Sequence, residues 1–189
     1  MALLHLVQDQ EIQEKLYKRI VGCVGKNGVI AESDVEKMPY LGAIERDIQR
    51  HPPSHFLLSH AATKEIELGG YTIPADVNVE IYTAWLTENP EMWQNPSEFR
   101  PERFLTGDGV DVDITGMRES EDASIRGGSE DLPAWSLGTL HVNLLLARMV
   151  QAFKWIPIPD NPPDPTETFA FTIVMKDPLK AIILPRAKI

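Results

Sequence analysis

Residues 87–105 read "TENPEMWQNPSEFRPERFL". Prolines at 90, 96 and 101 break the run before a helix or strand can extend, because each removes a backbone donor and restricts the residue before it. The stretch is predicted to be a meander with few regular backbone hydrogen bonds.

Working back from it, "KEIELGGYTIPADVNVEIY" (64–82) alternates. Ile66 and Leu68 precede a Gly69-Gly70 turn, and Val77, Val79 and Ile81 follow at period two, which predicts a hairpin and a small sheet. Further upstream the period changes to that of a helix. "DQEIQEKLYKRIVGCVG" (9–25) sets Ile12, Leu16 and Ile20 four apart and closes on glycines. Ser33 with Glu36 makes a capping box for a short helical turn, and Pro39 opens "PYLGAIERDIQR", which "HPP" (51–53) stops. Downstream, residues 106–132 hold eight acids against two arginines and are expected to form a flexible solvated loop. From Pro133 the run "SLGTLHVNLLLARMVQAFKW" is apolar on most faces, as in a deeply buried helix. The tail "FAFTIVMKDPLKAIILP" (169–185) reads as a strand pair turning at Lys176 to Pro178.

With 189 residues and 43% hydrophobic content the chain can bury a real core. A formal net charge of -10 argues against nucleic-acid binding, which needs a basic face that the composition does not supply. One cysteine, Cys23, excludes an internal disulfide and a multi-cysteine zinc site, and it reads as a small buried apolar residue. The opening "MALLHLV" is too short for a signal segment or a membrane span. His51, His55 and His60 lie around prolines without metal-site spacing, so no metal site is assigned to them. His141 reads as a satisfied core histidine.

Asn89-Pro90, Trp93, Pro96, Phe99 and "PERF" (101–104), between "MPYLGAI…RHPP" before and "LHVNLLLARM" after, resemble the region preceding the haem loop of the cytochrome P-450 family. The stretch from "HPPSHFLLSH" to "TENP" is most similar to plant microsomal members that oxidise fatty-acid-like substrates. The resemblance implies an α+β fold, the C-terminal part of the family's domain, over residues 1–189, with residues 106–132 replacing the haem-binding loop. It further implies haem-dependent monooxygenation, electrons from a flavoprotein reductase, and an endoplasmic-reticulum membrane location. The membrane anchor, most of the substrate pocket and the oxygen-activating threonine segment would lie outside this stretch. By family position His60 would approach a haem propionate, and Arg103 would join a buried ionic cluster.

Two family motifs read as degenerate. The haem iron is held there by a cysteine thiolate in Phe-x-x-Gly-x-Arg-x-Cys, leading into the buried helix. Counting back from "PAWSLG", these positions fall on Ile125, Gly128, Glu130 and Leu132, and leucine has no lone pair to offer a metal. The Glu-x-x-Arg counted back from "RHPP" falls on Arg46 and Gln49, which would set Arg46 against Arg103 with no carboxylate between them. The reading that follows is a truncated, noncatalytic relative that binds no haem. The alternative is a fragment or mistranslated form of an active haem-thiolate monooxygenase.

One cause is expected for both losses, a compensated frame shift, and codons chosen within the degeneracy of the code illustrate it. TTC GGG GCG GGT CGG AGG ATT TGC CC decodes to Phe-Gly-Ala-Gly-Arg-Arg-Ile-Cys-Pro. With A placed before it the same string decodes to Ile-Arg-Gly-Gly-Ser-Glu-Asp-Leu-Pro, residues 125–133 as they stand. GAG ACA TTC AG, which begins Glu-Thr-Phe-Arg, becomes Arg46 to Gln49 in the same way. The genomic sequence across residues 45–49 and 119–132 is therefore expected to yield both family motifs one base along. Codons that give neither motif in any frame would leave ordinary substitution as the explanation.

Overall fold

The computed structural model describes residues 1–50, 57–107, 109–110, 112, 133–170 and 172–186. Helices α1 (Ala2–Gln8), α2 (Gln10–Val24), α3 (Glu32–Val35) and α4 (Pro39–Arg50) come first. Strands β1 (Leu57–Ala61), β2 (Ile66–Leu68), β3 (Tyr71–Ile73) and β4 (Asn78–Tyr82) follow, then the short helices α5 (Thr83–Glu88) and α6 (Arg103–Thr106). The long α7 (Pro133–Ala152) leads into β5 (Phe153–Ile156), β6 (Glu167–Ala170), β7 (Thr172–Met175) and β8 (Ile182–Pro185). The class is α+β, as expected.

Asp9 starts α2, its Oδ1 accepting from the backbone N–H groups of Glu11 (3.0 Å) and Ile12 (2.9 Å). The stripe of Ile12, Leu16 and Ile20 then faces a core shared with Leu41 and Ile44 of α4 and with Leu146, Ala147 and Val150 of α7. The apolar opening residues are part of it, since Leu4, Leu6 and Val7 of α1 are fully buried. Buried Gln13 ties three elements together: its amide nitrogen donates to Leu6 O (2.6 Å) and Trp155 O (2.7 Å), and its Oε1 accepts from Trp155 N (3.0 Å). Each polar atom is thereby satisfied where water cannot reach.

Several expectations change. Asp34, not a Ser33–Glu36 box, starts α3, its Oδ2 accepting from Ala31 N at 3.0 Å. Gly69 and Gly70, at φ 59° and 82°, close the β2–β3 hairpin, but β4 pairs with β1 in a separate antiparallel sheet, Leu58 opposite Ile81 and His60 opposite Val79. The tail bends at Lys176 and Asp177, but the strands on either side do not pair with each other: β6 pairs with β7, while β8 returns to β5. Helix α7 is buried on one stripe only, Asn143, Leu146, Ala147 and Val150, and leaves Leu137, Val142, Leu145 and His141 exposed. His141 is therefore a surface residue of this chain, not a core one. Of the acidic loop, Thr106 closes α6, Gly109 is buried and Val112 packs on Trp93 and Phe104, so its first residues belong to the core. Residues 113–132 lie outside the described residues, as do His51 and His55.

Glu45 on α4 is a buried carboxyl that accepts a hydrogen bond from Gln49. Burial lifts its pKa from 4.5 to about 7, the neighbouring Arg46 opposing only in part. The folded chain thus keeps a proton that the unfolded chain gives up near pH 4.5, and stability falls as pH rises from 4.5 to about 7. Urea unfolding across that window should lose on the order of 2 kcal/mol, at ~1.4 kcal/mol per tenfold change in proton affinity. Glu45→Gln should flatten the profile; a variant with an unchanged slope would assign the loss elsewhere.

Candidate functional site

The chemistry-bearing centre of the described residues is built by α4, the meander and α6. Helix α4 carries Asp47 and Arg50 three residues apart, hence on one face. Both side chains are completely buried, and Arg50 Nε donates to Asp47 Oδ1 at 2.9 Å. Arg103 of α6, also completely buried, sets its Nε 3.3 Å from the same oxygen. Asp47 Oδ2 accepts from the backbone N–H of Arg100 at 2.6 Å. One carboxylate therefore holds two guanidinium groups and the entry to α6.

A buried group with two cations and one anion needs further acceptors, since each uncompensated charge carries a desolvation penalty of several kcal/mol. The meander supplies them as carbonyls. Arg103 donates to Gln94 O (3.0 Å), Asn95 O (3.2 Å) and Glu98 O (3.0 Å), and Arg50 to Thr87 O (2.8 Å). Trp93, 2% exposed, adds the face of its ring, 5.2 Å from the Arg50 guanidinium carbon and 5.9 Å from that of Arg103. The proline-broken chain makes local turn bonds, such as Trp93 N to Asn89 O (2.9 Å) and Glu98 N to Asn95 O (3.0 Å), and four of its carbonyls are held by two arginines.

This corrects the expected clash between Arg46 and Arg103. Arg46 points to the other side of α4, donates to Gly109 O (3.2 Å) and Val112 O, and lies over the Phe104 ring at 4.4 Å. Gln49 bonds Glu45. The acid and arginine that share the buried cluster with Arg103 are Asp47 and Arg50, one residue further along the helix. Asp47-x-x-Arg50 is visible in the sequence as an acid-x-x-arginine pair.

The other expected site residues do not converge. His60 sits half-buried in β1. Cys23 is exposed on α2, which corrects its reading as a buried residue. Among the described residues no three His, Cys, Asp or Glu side chains are gathered to hold a metal ion. The fit of a thiolate-held haem turns on donor chemistry. The residue before α7 is Leu132, and the chain's only cysteine lines a cleft on α2 beside Lys18, Arg19 and Lys37, remote in sequence from α7. The residues present do not fit that group. Among the described residues no helix is long and apolar enough to cross a membrane.

A family model described as cytochrome P-450 matches residues 1–121. The chain is 35% identical to cytochrome P-450 89A9 of Arabidopsis thaliana, over 97% of this chain and 37% of that protein. It is 32% identical to dihomomethionine N-hydroxylase of the same plant, over 96% and 34%, and 32% identical to cheilanthifoline synthase of Eschscholzia californica, over 100% and 39%. The chain thus spans little more than a third of the length of these curated relatives. A zebra fish cytochrome P-450 solved with abiraterone superposes with a TM-score of 0.83 at 22% identity, covering 99% of this chain and 42% of that one.

Two substitutions separate the two registers. Asp47→Ala leaves two buried guanidinium groups without their carboxylate and should cost about 3–5 kcal/mol. Arg46→Met keeps the packing of the stem on Phe104 and should cost about 1–2 kcal/mol. Chemical denaturation of both variants checks the order; a larger loss for Arg46→Met would restore the other register.

Proposed function

Because this chain belongs to the cytochrome P-450 family, we propose that it is a noncatalytic member, one that keeps the family's structural cluster and lacks the means to hold haem through thiolate. The observation that carries the proposal is Leu132, which occupies the position from which the family's cysteine would reach the iron, immediately before α7. A thiolate pushes electron density onto the iron and favours oxygen–oxygen cleavage, and a hydrocarbon side chain does neither. Cys23 gives no substitute, being exposed on a different helix. Arg103 is committed to Asp47 and the meander carbonyls, so its role here is to position backbone. His60, the family's propionate neighbour, has no haem to approach on this reading.

A second reading has its own support. The nine-residue match between residues 125–133 and an out-of-frame haem loop favours a mistranslated form of an active haem-thiolate monooxygenase. That form would draw electrons from a flavoprotein reductase at the endoplasmic reticulum membrane. Its substrate class, fatty-acid-like molecules, rests on the "HPPSHFLLSH" region, while the relatives above are named for other compounds. Transcript reads separate the two: family motifs in both windows support the active form, and the present residues support the noncatalytic one.

Purified chain supplied with haem, reduced and exposed to carbon monoxide, is expected to lack the long-wavelength Soret band of a thiolate-ligated haem. That band at one haem per chain would overturn the noncatalytic reading.

A further inference from the structure

A cleft of about 580 Å³ opens between α2, the turn from α3 into α4, and α6. Its α2 wall follows helical spacing: Lys15, Lys18, Arg19, Gly22 and Cys23 stand at i, i+3, i+4, i+7 and i+8 and share one face. Across the opening Lys37 adds a fourth cation, and no acid lines the cleft. In a chain of net charge -10 this is a local reversal of sign.

The four cations are not equivalent. Lys15 pairs with Glu102 at 2.5 Å, and Glu102 also accepts from the Tyr40 hydroxyl at 3.0 Å. Lys37 pairs with Asp34 at 3.0 Å. Among the described residues Lys18 and Arg19 have neither an ion pair nor a hydrogen bond, and both are exposed. The opposite side is mostly apolar: Leu105 is its exposed member at 37%, while Met38 and Tyr40 present only their edges and the Lys15 ammonium lies 4.5 Å over the Tyr40 ring. Two uncommitted cations therefore stand over an apolar bed, in a cavity whose volume suits a small molecule. Concave low-dielectric walls of one charge sign concentrate opposite charge, and the guanidinium fork matches a planar or tetrahedral oxyanion.

We propose that this cleft binds a small amphiphilic anion, its carboxylate or phosphate head held by Lys18 and Arg19 and its apolar body resting on Met38, Tyr40 and Leu105. The site is independent of the family's haem chemistry and of the reading given above for it. Helix α2 supplies the head-group contacts and the α3–α4 turn the bed, so selectivity comes from both together. A bare anion gains the charges without the bed, and a neutral apolar molecule gains the bed without the charges.

The chain carries its own reporter, because Cys23 is its only cysteine and its exposed thiol lines the same cleft. The full chain is treated with neutral dithiodipyridine; the thiolate attacks the reagent's disulfide, forms a mixed disulfide and releases one pyridinethione. Phenyl phosphate added as the probe should slow this reaction saturably, by about fivefold or more at full occupancy, and inorganic phosphate should protect with a midpoint about tenfold weaker. The double variant Lys18→Gln/Arg19→Gln should weaken the phenyl phosphate midpoint about tenfold or more, through loss of charge-assisted hydrogen bonds. Gly22→Leu should weaken it with every charge in place, because a Cβ there meets no atom within 4 Å and the added side chain fills the cleft. Both variants alter exposed positions, so the fold is kept. Absence of saturable protection, an unchanged midpoint in both variants, or equal midpoints for the two phosphates would overturn the proposal.

Discussion

A single carboxylate, Asp47, is the constraint on which the rest of the architecture depends. Its two oxygens meet Arg50, Arg103 and the backbone N–H of Arg100, none of which could be buried without an acceptor. Once the arginines are inside, their remaining donors need carbonyls, and only a chain without its own hydrogen-bond ladder has carbonyls to give. The irregular path from Thr87 to Glu98 is thus set by the donors of two side chains rather than by backbone pairing. Trp93 closes the arrangement by presenting an aromatic face to both cations.

The helical side of the molecule is organised differently. There α7 is the common wall, and α2, α3 and α4 lay their apolar stripes against it. Polar side chains act as ties where elements change direction: Gln13 joins α1, α2 and β5, and Arg148 donates to Ile30 O at 3.0 Å. Arg186, after β8, reaches back to Glu14 at 2.8 Å and lies over the Tyr17 ring at 3.9 Å, so the end of the described chain is pinned to α2. Each two-stranded sheet is too small to stand alone and depends on such ties.

The ionic framework and the haem donor are physically separable. The framework is one acid and two arginines on α4 and α6, namely Asp47, Arg50 and Arg103. The donor needs one sulfur before α7, and that position holds leucine. On the reading proposed above the chain keeps the family's fold without that donor, because the cluster's energy comes from buried charge and not from a metal.

Much of this was fixed by local sequence. Helix spacing in residues 9–25, proline at 39, the Gly69-Gly70 turn and the proline-broken run at 87–105 gave helices, a hairpin and a meander, since period, ring constraint and positive φ act within a few residues. Leu132 likewise spoke for itself, as donor chemistry belongs to the side chain alone. Tertiary structure decided what depends on partners distant in sequence: that β4 joins β1 and β8 joins β5, that Cys23 and His141 face outward, and that α7 buries one stripe of a helix apolar on most faces. Above all it decided which acid on α4 meets Arg103. Arg46 and Asp47 are neighbours in sequence but project about 100° apart around a helix, so Asp47 meets Arg103 while Arg46 lies over Phe104.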